Sequence, residues 1–169
     1  IRKMGDIPGT YELPEDARPL IDMYASLYKA TNGLVTPLIG STLEQAGYDA
    51  SYSFEIGAVS VPPAWDDAMT YAFPTLTIKQ PVVLDFGAAG KGYLVDIVAE
   101  LLTEAHYETY CVNAGGDIVV KGMQRIGLED PRNTEHAIGI IELSDAALCG
   151  SAGYRRQWGT YQHTINPQT

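Results

Sequence analysis

Cysteines, basic side chains and long apolar runs are all scarce in this 169-residue sequence. The two cysteines, Cys111 and Cys149, are too few for a disulfide framework or a four-thiolate metal site. Lys and Arg number 11 against 21 Asp and Glu, and the resulting net charge of −10 argues against nucleic acid or anionic lipid as a partner. No apolar run approaches the roughly 20 residues that span a bilayer, and no signal-peptide core is visible. Composition leaves the cellular compartment open.

The composition that is present is that of a folded protein. Apolar residues make up 46% and charged residues 19%, and the length fits one domain or two small subdomains. The chain begins at Ile1 and its first methionine is Met4, so we expect a fragment of a longer protein. Strands joined by short turns, with a few helices, predict an α+β fold of mixed, mainly antiparallel sheets with packed helices.

Apolar spacing and turn residues predict the individual elements. Helices are predicted over residues 14–30, 36–46, 65–72 and from Gly92 to about Leu102. The first helix should bury a face built from apolar residues three and four apart, which are Leu20, Met23, Tyr24, Leu27 and Tyr28. Strands are predicted over residues 75–79, 82–84, 109–112, 118–120, 137–143 and 146–149. A hairpin turn is predicted at residues 79–81, because Pro81 cannot sit in a central strand.

The first candidate functional segment is the Gly/Ala-rich stretch from Asp85 to Gly92, which runs from a predicted strand into a helix. Such a turn exposes backbone N–H groups at the positive end of a helix dipole and can bind phosphate. It is not a Walker A loop, because Asp85 and Gly92 occupy the places of the required Gly and Ser/Thr. Taken alone, a phosphate site and a tight turn that only permits close packing are about equally supported. Lys91 and the expected burial of Asp85 favour phosphate slightly.

Two further turns carry acidic residues. Asn113-Ala114-Gly115-Gly116-Asp117 has two glycines that permit positive φ and expose amides, although an isolated segment of this kind is more often an ordinary β-turn. Residues 126–131 end in the paired carboxylates Glu129 and Asp130, and alone they predict a solvated turn.

The last candidate segment runs from Cys149 to Arg156 and is followed by His163. Its two arginines can bind a phosphate or carboxylate, and Ser151 can donate a hydrogen bond. His163 is the best general-base candidate among the three histidines because it follows this polar segment, although a lone histidine is more often structural. Cys149 is predicted to be a small buried apolar residue.

Taken together and in order, these segments resemble the ApbE family of flavin transferases. Six family motifs have counterparts in sequence order, which are Asn32–Pro37, Asp85–Asp96, Asn113–Asp117, Gly127–Pro131, Ser151–Arg156 and His163–Thr169. Each motif is weak alone, whereas six in the family's order are specific. The resemblance implies an ApbE-like fold related to the tunnelling-fold architecture.

The resemblance also implies an activity and a set of residues. It implies Mg²⁺-dependent transfer of the FMN moiety of FAD to a Thr or Ser hydroxyl of an acceptor protein, with release of AMP. His163 and Lys91 would be catalytic, His163 as the base and Lys91 against phosphate charge, and the Ala88 carbonyl would be a metal ligand. The implied FAD-binding residues are Asp85, Gly87, Ala88, Lys91, Asn113, Gly115, Gly116, Asp117, Ser151 and His163.

This chain departs from the family pattern in its length and at Asn166. Family members are longer at both ends, so we expect residues 1–169 to be a single ApbE-like core without the N- and C-terminal portions, the latter of which supplies further Mg²⁺ ligands. Asn166 stands where the family usually has Asp. FAD hydrolysis and a non-catalytic flavin-binding module therefore remain alternative functions. The location stays unknown from these residues; the family resemblance implies the outer face of the cytoplasmic membrane or the periplasm, as a lipoprotein, and no lipobox is visible in the sequence.

Overall fold

The chain combines short helices with antiparallel strands. These elements were located in a computed structural model that describes residues 2–169. The α-helices of this range are α1 (Arg2–Gly5), α2 (Arg18–Ala30), α3 (Gly40–Gln45), α4 (Trp65–Ala68) and α5 (Gly90–Glu104). Its strands are β1 (Gly9–Glu12), β2 (Met69–Ala72), β3 (Thr75–Ile78), β4 (Tyr110–Asn113), β5 (Asp117–Asp130), β6 (Asn133–Cys149), β7 (Gln157–Trp158) and β8 (Tyr161–Gln162). All of these strands pair antiparallel, so the predicted α+β class is confirmed. Within residues 2–169, no helix has both the length and the apolar character needed to cross a bilayer.

The chain divides into two compact units. The first consists of Ile1–Phe86 and Arg156–Thr169, and the second of Gly87–Arg155. The prediction that the whole chain forms one ApbE-like core stays a prediction.

The first unit contains a three-stranded sheet in the order β1-β3-β2 and the two-stranded β7-β8 hairpin. In the sheet, Leu76 of β3 faces Tyr11 of β1 on one side and Tyr71 of β2 on the other. A buried apolar cluster packs the sheet against α2 and the loops, and it consists of Leu13, Ala17, Ile21, Leu38, Ala68, Met69, Leu76, Ile78, Val82 and Leu84.

The first two predicted helices of this unit are present. A 3₁₀ turn at Glu15–Ala17 leads into α2, which ends where Asn32 and Gly33 adopt positive φ of 51° and 84°. The helix buries Leu20 and Tyr24 as predicted, but Met23 is exposed. Thr36 caps the next helical segment by accepting a hydrogen bond from the Leu38 amide.

Two predictions for this unit are wrong. The helix expected over residues 65–72 ends at Ala68, because Met69–Ala72 pair with β3 from Met69 opposite Ile78 to Ala72 opposite Thr75. The hairpin turn therefore lies at residues 73–74 and not at 79–81. Residues 82–84 are not a strand: the Val82 amide donates a single 2.9 Å hydrogen bond to the Gly5 carbonyl, and the side chains of Val82 and Leu84 are buried in the apolar cluster.

The second unit packs α5 beside a sheet in the order β4-β5-β6. The buried residues of α5 are Val95 and Ala99, whereas Leu94 and Leu101 of the predicted apolar stripe are exposed. The Tyr110 hydroxyl on β4 donates a 3.0 Å hydrogen bond to the Ala99 carbonyl. This contact ties the middle of the helix to the strand that leads into the glycine-rich turn.

Strands β5 and β6 form one long hairpin where the sequence predicted shorter strands. The predicted break at Ser144-Asp145 is a β-bulge, in which the Gly122 amide donates a 2.8 Å hydrogen bond to Oδ1 of Asp145. Both residues have positive φ, which is typical of a turn and explains the wrong prediction. Residues 126–130 belong to β5 and are not a solvated turn. Cys149 is exposed, which corrects its predicted burial.

Candidate functional site

The second unit joins the Gly/Ala-rich loop to the glycine-rich turn through Lys91. Lys91 lies in the first turn of α5, and its ammonium nitrogen is 3.1 Å from Oδ2 of Asp117 and 3.4 Å from the carbonyl oxygen of Ala114. Two motifs that are more than twenty residues apart in the chain therefore meet at one cation. Because an ammonium has three N–H donors, one remains for an anionic ligand.

The glycine-rich turn is held by its own short hydrogen bonds. Oδ1 of Asn113 accepts a 3.0 Å hydrogen bond from the Gly116 amide, and the Ala114 amide donates to the Asp117 carbonyl at 2.9 Å. Gly115 and Gly116 have φ of 70° and 106°, which side chains rarely adopt. A Cβ at Gly115 would meet no atom within 4 Å, so the turn is open on that side.

The N-terminus of α5 has no side-chain cap. Ala89 precedes the helix with φ −129° and offers no capping hydrogen bond, and the first turn contains no acidic residue. Gly87 and Ala88 are exposed just before it. The first amides of the 15-residue helix have no side-chain cap, and a negatively charged group is favoured at this end of the helix, where Lys91 lies.

The segment around Ser151 reaches the same turn. The Gly150 amide donates a 2.9 Å hydrogen bond to the Gly116 carbonyl, and Ser151 follows directly with an exposed side chain. On the same turn, the carboxylate of Asp117 forms the ion pair with Lys91. Eight of the predicted site residues belong to the second unit, and they are Gly87, Ala88, Lys91, Asn113, Gly115, Gly116, Asp117 and Ser151.

Glu129 forms a cluster with the residues that follow Ser151. Its carboxylate accepts hydrogen bonds from the Tyr154 hydroxyl and from the Arg155 guanidinium. These contacts, Tyr154 first, lower the pKa of Glu129, and the same bond raises the pKa of Tyr154. Arg155 is thus engaged by a carboxylate of its own unit. This contact between Glu129 and Arg155 could not be predicted from the sequence, because nothing in the spacing of residues 126–131 indicates which residue Glu129 pairs with.

Asp85 and His163 lie in the first unit. Asp85 is half-buried, and its amide donates a 2.7 Å hydrogen bond to the Pro37 carbonyl. It lines a cavity of about 180 Å³ together with residues from α3 and the loop after it, among them Leu43, Tyr48 and Tyr52.

His163 is held by the β7-β8 hairpin. Its amide donates to the Arg156 carbonyl at 3.2 Å, which extends the pairing of the hairpin by one step. Nδ1 of His163 is buried and has no hydrogen-bond partner among the described residues. Trp158 anchors the hairpin because its indole N–H donates a 2.6 Å hydrogen bond to the buried Ala46 carbonyl.

Sequence analysis did not identify Trp158 or the Ala114 carbonyl as contributors. The pairing of Trp158 with Ala46 spans 112 positions, and only a folded structure brings the two together. A tryptophan five residues before a candidate base was the one available signal.

The described residues do not form a magnesium cage by themselves. Over residues 2–169, no group of three or more His, Cys, Asp and Glu side chains is arranged to hold a metal ion. Mg²⁺ takes six oxygen ligands, and the Ala88 carbonyl would supply one. The other ligand positions of Mg²⁺ would be filled by oxygens other than those of the described carboxylates, such as water and the phosphate oxygens of a ligand.

The family model for the ApbE family matches residues 3–169. The chain belongs to the ApbE family. An FAD:protein FMN transferase from Vibrio cholerae is 34% identical over 97 residues, which are 51% of this chain and 29% of that protein. One from Haemophilus influenzae is 32% identical over 100 residues, or 52% of this chain and 29% of that protein.

Solved ApbE structures share the fold. The ApbE protein of Thermotoga maritima has a TM-score of 0.83 and 25% identity, over 99% of this chain and 60% of that protein. The flavin transferase ApbE of Vibrio cholerae has a TM-score of 0.75 at 24% identity, over 98% of this chain and 59% of that one. This ApbE-family chain thus spans about three fifths of the solved relatives. The roles of the ten site residues remain predictions.

Proposed function

We propose that this chain contributes to transfer of the FMN moiety of FAD to a Thr or Ser hydroxyl of an acceptor protein, with Mg²⁺ required and AMP released. The observation that carries the proposal is the meeting of Lys91, the uncapped N-terminus of α5 and the glycine-rich turn in the second unit. The family's relatives named FAD:protein FMN transferase support the same reaction.

The residues of the second unit would bind the pyrophosphate of FAD. Lys91 places a positive charge there, and the free amides of α5 add hydrogen-bond donors. Gly115 leaves room for close approach of the ligand to the backbone. The protein is acidic overall, so binding depends on these local groups and not on a basic surface.

His163 would accept the proton of the attacking hydroxyl. The hydroxyl oxygen forms a bond to the phosphorus of the FMN half, the bond from that phosphorus to the bridging oxygen breaks, and AMP leaves with the bridging oxygen. The hydroxyl proton passes to His163. A base within hydrogen-bond reach typically accelerates such a step by a factor of about 10² to 10⁴.

The test uses the protein that carries this chain, incubated with FAD, Mg²⁺ and an acceptor protein that bears a Thr. We expect covalent flavin fluorescence on the acceptor in a denaturing gel, with AMP formed in equal amount. His163→Ala should slow transfer by about a hundredfold while FAD binding persists, whereas the matched variant His136→Ala should not change the rate. FMN and AMP without a labelled acceptor would instead establish FAD hydrolysis. FAD that binds and stays intact would establish a non-catalytic flavin-binding module, for which Asn166 in place of the family's Asp is the motivating feature.

A further inference from the structure

Residues 50–64 of the first unit contain no helix or strand, yet their backbone is fixed. Oε1 of Gln45 accepts hydrogen bonds from both the amide and the hydroxyl of Ser60, each at 2.8 Å. The Gly57 amide donates to the Gln45 carbonyl at 2.8 Å, and the Thr42 hydroxyl donates to the Ser60 carbonyl at 2.9 Å. These hydrogen bonds hold the loop in one conformation, so its exposed side chains have fixed positions.

This loop presents a row of exposed apolar side chains, which we name the apolar stripe. It consists of Tyr52, Phe54, Ile56, Val59 and Val61. Tyr52 is 57% exposed and Val61 is 63% exposed, although both are large apolar residues. The rings of Tyr52 and Phe54 are 6.3 Å apart, and a group of exposed apolar side chains on one loop is typical of a binding site, whereas single ones need no explanation.

The backbone of the stripe is strained where its two aromatic residues lie. Tyr52 and Phe54 have φ of 53° and 55°, a region that costs a bulky residue roughly 1–2 kcal/mol. Local bonds hold this shape, because Oδ1 of Asp49 accepts from the amides of Ser51 and Ser53 and the Phe54 amide donates to the Gly47 carbonyl. The Tyr52 ring lies 5.4 Å from the Tyr48 ring and about half of the Tyr52 and Phe54 side chains stays exposed, so the strained backbone fixes a partly exposed aromatic surface, which fits a role in binding.

The stripe lies in the most one-sided charge region of the chain. No Lys, Arg or His occurs from Ala30 to Ile78, and the acidic residues of that stretch are Glu44, Asp49, Glu55, Asp66 and Asp67. The Arg156 guanidinium donates a 2.9 Å hydrogen bond to the hydroxyl of Tyr48, whose ring packs against Tyr52. Charge complementarity favours a partner with basic residues beside its apolar ones.

The stripe is continuous with the hairpin that carries His163. The rings of Phe54 and Trp158 are 5.5 Å apart, and Cδ1 of Ile56 lies 3.2 Å from where a Cβ of Gly159 would be. A partner seated on the stripe would therefore lie beside the hairpin that ends at the candidate base.

We propose that the apolar stripe docks the acceptor protein, through an acceptor segment in which apolar residues alternate with Lys or Arg. The proposal rests on the proposed function, since it takes the macromolecule that approaches His163 to be the acceptor. Docking of apolar side chains would supply affinity, and the acidic surroundings would select the basic segment and steer its approach.

The first test measures binding without catalysis. The probes are two fluorescein-labelled peptides, each with a Thr followed by Leu and Val residues, one interspersed with Lys and the other with Glu. We expect the Lys peptide to bind at least about tenfold more tightly by fluorescence anisotropy, with an affinity that falls as salt is raised. The double variant Ile56→Ser/Val61→Ser should weaken binding by about tenfold or more. Ile140→Ser, equally exposed but in the second unit, should bind like the wild type. Equal binding of the two peptides, or an unchanged affinity in the double variant, overturns the proposal.

The second test separates this proposal from the proposed function. FAD binding, followed by quenching of its fluorescence, should be the same in the double variant and the wild type, while KM for the Lys peptide as acceptor rises by about tenfold. Flavin transfer by the double variant with an unchanged KM overturns acceptor docking on the apolar stripe and does not contradict the proposed activity. Peptide binding that depends on the stripe, in a protein that never transfers flavin, supports docking and contradicts the activity. A dimer in sedimentation that the double variant abolishes would assign the stripe to a second copy and overturn acceptor docking.

Discussion

The ammonium nitrogen of Lys91 lies 3.1 Å from Oδ2 of Asp117, and this ion pair connects the start of α5 to the turn between β4 and β5. The Lys91 side chain is half exposed and that of Asp117 is mostly buried. The contact therefore places a solvent-accessible cation at a fixed position on the glycine-rich turn.

Replacing this cation should weaken FAD binding more than it weakens the fold. For Lys91→Met we expect an FAD affinity at least about tenfold lower, because a charge-assisted hydrogen bond to phosphate is lost. The half-exposed ion pair itself contributes little to stability, about 0–1 kcal/mol. Titration of FAD fluorescence and thermal unfolding measure the two effects. Lys121→Met on β5 is the matched control and should leave the affinity unchanged. An unaltered FAD affinity in Lys91→Met would show that Lys91 does not bind FAD.

A methyl group at Gly116 should destabilise the second unit. In Gly116→Ala the new Cβ would lie 3.2 Å from the Gly150 carbonyl oxygen, and φ of 106° is strained for alanine. We expect a loss of about 1–3 kcal/mol in the free energy of unfolding. Gly92→Ala, where a Cβ meets nothing within 4 Å inside α5, should be neutral or stabilising by up to about 1 kcal/mol. Urea denaturation of both variants provides the comparison, and equal stabilities would contradict the strain at Gly116.

Removing the indole N–H of Trp158 should loosen the hairpin that precedes His163. Trp158→Phe leaves the buried Ala46 carbonyl without its 2.6 Å donor, for an expected cost of about 1–3 kcal/mol. Trp65→Phe is the matched control, since no hydrogen bond of its indole is found among the described residues. Hydrogen exchange of the His163 amide should accelerate in the first variant and not in the second. The same exchange rate in both would show that the anchor is unimportant.

Alkaline pH should reveal the hydrogen bond between Tyr71 and Asp22. Burial, followed by the 2.7 Å bond that the hydroxyl donates to Asp22, raises the pKa of Tyr71 from 10 to about 12. The unfolded chain thus loses this proton near pH 10, whereas the folded chain keeps it until about pH 12. The contribution to stability is full below pH 10 and disappears as the pH rises to 12. Unfolding free energies from pH 9 to 12 should fall more steeply for the wild type than for Tyr71→Phe, and parallel curves would contradict the shift.

The local parts of the fold could be predicted from the sequence because local chemistry determines them. The end of α2 just before Asn32-Gly33 and the start of α5 after a Gly/Ala-rich loop follow from glycine conformations and helix periodicity. The boundary at Ala68 could not be predicted, because the pairing of Met69 with Ile78 overrides the helical preference of that segment. The bulge at Gly122 and Asp145 was missed for a related reason, since positive φ in a strand resembles a turn.

The candidate site shows the same division. Motif order gave the candidate residues, whose roles stay predictions, and the glycine-rich turn has the positive φ values that its sequence requires. Which atoms Lys91 contacts depends on how α5 packs beside β4 and β5, and no spacing rule gives that. The neighbours of His163 were equally inaccessible, because Trp158 reaches back to Ala46 through long-range packing.

The charge asymmetry around the apolar stripe has a consequence for proteolysis. Trypsin cleaves after Lys and Arg, and it has no cleavage position between Lys29 and Lys79, although the loop at residues 50–64 is exposed. Chymotrypsin cleaves after aromatic residues and meets Tyr52 and Phe54 in solvent. Native digestion with these two proteases would thus distinguish an open stripe from a covered one, and a seated partner would make the loop as resistant to chymotrypsin as it already is to trypsin.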